Sequence, residues 1–273
     1  MKKFIIAVMC VLIMSLSLFA KGKTPGELAV QHFKNFFKGR GINTKLVVEK
    51  DIKIPGLKGY KFVIIQLSKG KRSQNLSFLT NGKYMIRSFE EIGKRKNLVS
   101  YYESIYTHYK IPYSAKELML GKQSNKVKIV YFGDFECPFC KKCLKFIRAK
   151  YSKDIALYFK HFPLPFHKNA ILLAKIYEAG KKLNINLLDF VEKVRGDKKK
   201  IMEELSKIVP KNKMKKFKSI MESKEIMDKI KADEVLGRKY KIRGTPAIFI
   251  NGHRVDGCDT GVISDLMKTA VKK

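Results

Sequence analysis

The segment that most restricts what this chain can become is Cys137-Pro138-Phe139-Cys140, which follows the apolar run at 127–132 (VKIVYF) and opens a helical pattern. A buried strand feeding straight into a helix sets a β-α-β beginning, because the next apolar run, 155–159, comes one helix later. Two residues between the cysteines allow a small disulfide ring at the helix start. Pro138 suits the first turn, where no amide donor is required of it. The free amides of that turn favour a negative sulfur, which predicts a lowered pKa and an attacking thiolate at Cys137. Cys140, one turn further in and less exposed, is then the resolving thiol. A purely structural disulfide and half of a zinc site are the competing uses of this spacing.

The second element is Gly244-Thr245-Pro246. A proline entering a hairpin strand accepts a cis peptide at low cost. Beside the cysteine helix, Thr245 would offer its backbone to an extended substrate peptide as an added strand. An ordinary strand-edge proline is the alternative reading of Pro246. Asn251-Gly252, between apolar runs at 247–250 and 253–255, marks a hairpin. An amphipathic helix is expected from about Thr260, and helix throughout 168–239, where strand signals are few. The order is β-α-β, a helical block, then β-β-α, an α/β arrangement.

Residues 24–92 read as a separate α+β unit. Thr24 and Glu27 form a capping-box pattern, Pro25 follows the cap, and Gly39 follows a helix carrying Phe33, Phe36 and Phe37. Strands are expected at 46–48, 60–67, 76–79 and 84–86, with Asn81-Gly82 turning the last pair. No nucleophile–base pair is present, so the expected role is scaffold or oligomerisation. The domain expectation is an N-terminal α+β domain over 21–96, a helical linker over 97–122, and a catalytic domain over 123–273 with a helical insert at about 168–239.

Residues 1–20, MKKFIIAVMCVLIMSLSLFA, have the layout of a secretory signal peptide cleaved after Ala20, with a single membrane anchor as the alternative. Export governs how the cysteines are read. Cys10 leaves with the signal, and Cys137, Cys140, Cys143 and Cys258 remain, an even set that implies disulfides before metal in an oxidising compartment. A hydrophobic content of 45% excludes wholesale disorder, and the lack of a second long apolar run excludes a polytopic membrane protein. The formal charge is +34, yet the lysines are scattered rather than clustered, which argues against a nucleic-acid partner.

FGDFECPFCKKC, then HFPLPFH, then GRKYKIRGTPAIFINGHRV resemble the DsbA-type branch of the thioredoxin superfamily, over roughly 125–273. The resemblance implies a thioredoxin fold with an inserted helical domain. It implies Cys137 as nucleophile, Cys140 as resolving cysteine and Thr245-Pro246 as the cis-proline loop. FLTNGKYMI in the N-terminal segment is similar to the dimerisation domain of DsbC and DsbG isomerases, which implies a small cystatin-like domain and a homodimer. Together these imply a periplasmic thiol–disulfide oxidoreductase that needs no small-molecule cofactor and no metal. Its partners would be unfolded or misoxidised exported proteins. A membrane redox protein would reset it, DsbB-like for an oxidase or DsbD-like for an isomerase. Phe139 stands where DsbA has His, so Cys137 is expected to be less acidic and the protein a weaker oxidant. Glu136 stands where thioredoxin has Trp, which argues against a cytosolic-style reductase. Thr245 resembles the isomerase branch, and the direction of exchange stays open.

In a thioredoxin fold the last hairpin returns toward the active-site end, so Cys143 and Cys258 are expected to approach as a second disulfide, structural or acting as a relay. Two unpaired buried thiols are the alternative. A competing class is an exported metal or iron–sulfur protein using CxxCxxC with Cys258, although the fourth Cys-Pro of a ferredoxin run is missing. A redox-independent chaperone is a third. The histidines form no HExxH pattern, and His161 and His167 are expected to be structural. Asp134 and Glu136 are expected as solvated or capping carboxylates, with proton transfer during exchange as the alternative use. Lysines 198–200 and 211–216 are expected to face solvent.

Overall fold

The computed structural model describes residues 22–91 and 96–271; the expected signal segment, with Cys10, lies outside the described residues. Two compact units meet in sequence at Phe89 and Glu90. In the first, helix Pro25–Lys38 starts with the expected capping box: Thr24 Oγ1 accepts from Glu27 N at 3.2 Å, and Glu27 Oε2 accepts from Thr24 N at 2.7 Å. Phe33 and Phe37, one turn apart, pack against Leu46, Val63, Ile65 and Phe78. Phe36 is rotated off that face and exposed, with the Arg40 guanidinium 3.8 Å from its ring centre.

Strands β1 (Lys45–Lys53), β2 (Lys61–Lys69), β3 (Arg72–Thr80) and β4 (Met85–Ile86) form an antiparallel sheet in that order. β1 extends well past the expected 46–48, through polar residues, with a register shift between Val48 and Lys50. Asn81 Oδ1 accepts from Lys83 N and Tyr84 N, and Gly82 takes a φ of +91°, so the β3–β4 turn is closed by the asparagine side chain.

The second unit opens with the short pair β5 (Glu90–Glu91) and β6 (Lys96–Asn97) and helix Leu98–Tyr106. Its main sheet contains β7 (Leu118–Gly121), β8 (Val127–Gly133), β9 (Ile155–His161), β10 (Ala247–Ile250) and β11 (His253–Asp256). They lie in the order β11-β10-β8-β9-β7, with β8 and β9 parallel and the other pairs antiparallel. The stretch expected as a helical linker, 97–122, therefore belongs to this unit. Leu118 and Leu120 pair with Tyr158 and Leu157, closing the edge of β9, whose backbone would otherwise lack partners on that side.

Between β9 and β10 come helices Ala170–Lys182, Leu188–Lys193, Lys198–Ile208, Lys211–Met221 and Lys224–Lys239, the expected helical insert. Its lysines at 198–200 and at 211, 213, 215 and 216 are exposed. Helix Pro138–Tyr151 and the closing helix Thr260–Val271 cover the sheet with Leu144, Ile147, Val262 and Ile263, against Ile129, Tyr131, Leu157 and Phe159. Gly133 ends β8 where a Cβ would stand 2.6 Å from the Tyr131 ring and 2.8 Å from that of Phe159. Only glycine permits that close crossing just before the cysteines. Among the described residues no helix is long and apolar enough to cross a membrane.

Candidate active site

β8 runs out at Gly133 and the chain turns through Asp134-Phe135-Glu136 before the cysteine helix starts. Asp134 organises that turn. Its Oδ1 accepts from Glu136 N at 2.7 Å, its Oδ2 accepts from Leu164 N and faces His167 Nδ1, both at 2.8 Å, and its carbonyl accepts from Cys137 N at 3.1 Å. Glu136 Oε2 accepts from Asn169 N at 2.6 Å. Both carboxylates thus tie the loop after β9 to the helix start, instead of being solvated or capping the helix. His167 belongs to this tether. His161, on β9, is buried with Nε2 2.8 Å from Glu178 Oε1 and its amide donating to Asp233. Both histidines hold loops and helices in place.

Cys137 is the N-cap of helix Pro138–Tyr151, in extended conformation, with Pro138 in the first turn and no side-chain cap bond. Its sulfur lies 3.5 Å from the Thr245 carbonyl oxygen, and the Thr245–Pro246 bond is cis. Pro246 leads into β10, paired antiparallel to β8, so one sheet brings the two distant motifs together. The cis alternative, and not an ordinary edge proline, is what the chain adopts.

The Cys137 thiol is lowered to about 5. The Cys140 thiol, hydrogen-bonded to its sulfur, is the foremost cause, opposed by burial and assisted by Thr245 and by the backbone amides of Cys140 and Phe139. The helix amides singled out from sequence do contribute, behind a thiol. Cys140 is pushed far up, first by burial and then by its contact with Cys137. Exposure does not separate the two, at 3% for Cys137 and 1% for Cys140. The hydrogen bond between them does, lowering Cys137 and raising Cys140. Asp134 N, 3.4 Å from Cys140 Sγ, acts the other way, and the Tyr131 hydroxyl donates to the Cys140 carbonyl at 3.0 Å.

Cys143 and Cys258 also meet: their thiols are hydrogen-bonded, which holds Cys143 up and Cys258 down. All four cysteines carry free thiols. Phe139, inside the motif, and Phe166, in the tethered loop, project with 64% and 75% exposure, whereas most aromatic rings of this unit are covered.

Sequence reasoning missed three groups. Tyr131 reads as one more core aromatic in VKIVYF. The Thr245 hydroxyl is buried against the sulfurs of Cys137 and Cys140, which no local pattern reveals. Lys160 is buried on β9, 2.5 Å from Glu117 and 3.6 Å from Asp233, with Lys229 also on Glu117. A lysine interrupting the apolar run IALYF was the one available signal. Among the described residues no three or more His, Cys, Asp or Glu are grouped so as to hold a metal ion.

A family model described as thioredoxin matches residues 114–268, more than half of the chain. Over 151 residues, 49% of this chain and 69% of the relative, the sequence is 31% identical to the probable disulfide bond formation protein D of Bacillus anthracis. The fold resembles that of oxidised BdbD from Bacillus subtilis, at a TM-score of 0.50 and 24% identity, covering 61% of this chain and 99% of that one. A thioredoxin-like oxidoreductase from Silicibacter pomeroyi is similar at a TM-score of 0.50 and 16% identity, covering 59% and 95%.

Proposed function

The chain belongs to the thioredoxin family, in its DsbA-type branch of thiol–disulfide oxidoreductases, and we propose that it introduces disulfides into exported proteins through Cys137 and Cys140. The observation that carries this reading is the unequal pair at the helix start. Cys137 is lowered to about 5 beside the Thr245 carbonyl, while Cys140 behind it is pushed up.

In the oxidised protein, a substrate thiolate attacks Cys137 Sγ. The Cys137–Cys140 bond breaks, and Cys140 leaves and takes up a proton, as its raised pKa favours. A second substrate thiolate then attacks the substrate sulfur of the mixed disulfide. Cys137 departs as a thiolate that keeps its charge at neutral pH. A stable Cys137 thiolate favours the reduced form of the protein and so drives the disulfide outward. Its value of about 5 falls between the roughly 3.5 of DsbA and roughly 7 of thioredoxin, in keeping with an oxidant milder than DsbA.

Thr245 and Pro246 would hold the substrate backbone alongside Cys137, with Phe139 and Phe166 offering apolar contact. Export through the N-terminal signal would place the protein in the periplasm, among unfolded substrates and near a DsbB-like membrane partner that reoxidises it. The test mixes the oxidised protein with reduced, unfolded ribonuclease and follows substrate thiols by mass. Loss of two substrate thiols per two gained on Cys137 and Cys140 supports the reading; substrate thiols that persist while the pair stays oxidised overturn it.

A further inference from the structure

We propose that Cys143 and Cys258 form a second dithiol–disulfide site that exchanges with the Cys137–Cys140 pair inside the same molecule. The inference deepens the exchange reading and rests on it. Cys143 follows Cys140 by one turn of the same helix, on the buried face shared with Leu144 and Ile147. Cys258 reaches it from the loop between β11 and the closing helix. β11 ends at Asp256, and Gly257 turns the chain with a φ of +73° while its amide donates to the Pro246 carbonyl at 2.8 Å. Asp259 then caps the closing helix, accepting from Val262 N at 2.9 Å. Cys258 is thereby clamped between the proline loop and the cysteine helix. It is half-buried, whereas Cys143 is fully buried.

The second pair repeats the asymmetry of the first. Cys258 is lowered by the Cys143 thiol and by Lys142, and Cys143 is raised by Cys258 and by burial. The outer sulfurs, Cys137 and Cys258, are the lowered thiols, and the inner ones, Cys140 and Cys143, are neighbours on one helix. Tyr131 stands among them, its phenol facing Cys140, Cys143 and Cys258.

The exchange balances without an external reagent. Starting from a Cys137–Cys140 disulfide, Cys143 gives up its proton and attacks Cys140 Sγ, and Cys137 leaves as a thiolate. The Cys258 thiolate then attacks Cys143 Sγ, the Cys140–Cys143 bond breaks, and Cys140 takes up the proton. Two electrons have moved from Cys143 and Cys258 to Cys137 and Cys140. Two successive oxidations at Cys137–Cys140 thus load both disulfides through one entry site.

The experiment treats the purified, reduced protein with a small peptide disulfide. Samples are quenched with an alkylating agent at intervals, and the four cysteines are mapped by mass. The expected result is a Cys143–Cys258 disulfide that lags behind Cys137–Cys140 and forms at a rate independent of peptide concentration. In a Cys137→Ser variant its formation slows at least tenfold. A rate proportional to peptide concentration, an unchanged rate in Cys137→Ser, or Cys143 and Cys258 still alkylatable after excess oxidant each overturns the inference. In all three cases Cys137–Cys140 of the unsubstituted protein still oxidises, so the exchange reading stands; a Cys137 that never reacts with the peptide overturns both.

Discussion

Helices Pro25–Lys38 and Pro138–Tyr151 begin on the same plan. Each has 14 residues, a proline in its first turn and an N-cap residue in extended conformation with φ of −65°. At Thr24 the free amides are taken up: the threonine hydroxyl accepts one and the Glu27 carboxylate satisfies the cap's own N–H. That end is closed, and it contributes stability. At Cys137 no side chain closes the turn. The amides of Phe139 and Cys140 face a sulfur instead, together with the Cys140 thiol and Thr245. What differs is the partner offered to the orphan donors, and it separates a start closed by side chains from one that holds a lowered thiol.

Replacing Cys137 by Ser removes the sulfur and keeps a capping atom. Disulfide transfer to reduced ribonuclease is expected to vanish, while circular dichroism shows the helix content retained; residual transfer would mean that another cysteine attacks. Replacing Cys140 by Ser leaves the attack but removes the escape. Mixed disulfides between Cys137 and substrate should then accumulate and be visible as a shifted band on a non-reducing gel.

Placing a thiol on the other helix tests the comparison directly. In Thr24→Cys the new thiol should alkylate with a midpoint near the ordinary value of about 8.5, because the Glu27 carboxylate held on the cap's own N–H repels a thiolate, whereas Cys137 should show a midpoint of about 5. Equal midpoints would mean that a helix start alone lowers a thiol, without Cys140 or Thr245.

The pH dependence of stability follows from the same value. Folding lowers Cys137 from about 8.5 to about 5, so between these values the unfolded reduced chain binds the extra proton. The contribution is fully present above the unfolded value and is lost as pH falls through about 5. The oxidised protein has no Cys137 thiol. Urea midpoints of the two forms should therefore shift in favour of the reduced form as pH rises from about 5 toward 8.5; a constant difference would contradict the lowered thiol. The smallest effect is expected at the closed helix: Thr24→Ala should cost about 1 kcal/mol, read from urea unfolding, with disulfide transfer unchanged.

Much of this could be read without coordinates. The cysteine spacing, the proline after each cap and the Thr24–Glu27 box are contacts within one helical turn, and they appear where expected. The alternating and apolar runs located the strands, although β1 was cut short because its polar residues 49–51 hide the pattern. The stretch 118–121 was missed as a strand, since LMLG is too short to show a period and becomes one only by pairing with β9. Phe33, Phe36 and Phe37 cannot all face one way on a helix, and sequence does not say which gives way; Phe36 does.

The sequence by itself determined where the paired cysteines stand along a helix and which of them meets its free amides, because helix geometry and free amides are local. Only the tertiary structure decided how acidic Cys137 is, that Asp134 ties loops instead of meeting solvent, and that Cys258 faces Cys143. Each of these depends on groups far apart in the chain, Cys137 with Thr245, Asp134 with His167, Cys143 with Cys258, brought within a few ångströms by strands crossing in one sheet, and hydrogen bonds and charge effects on a buried sulfur act only over such distances.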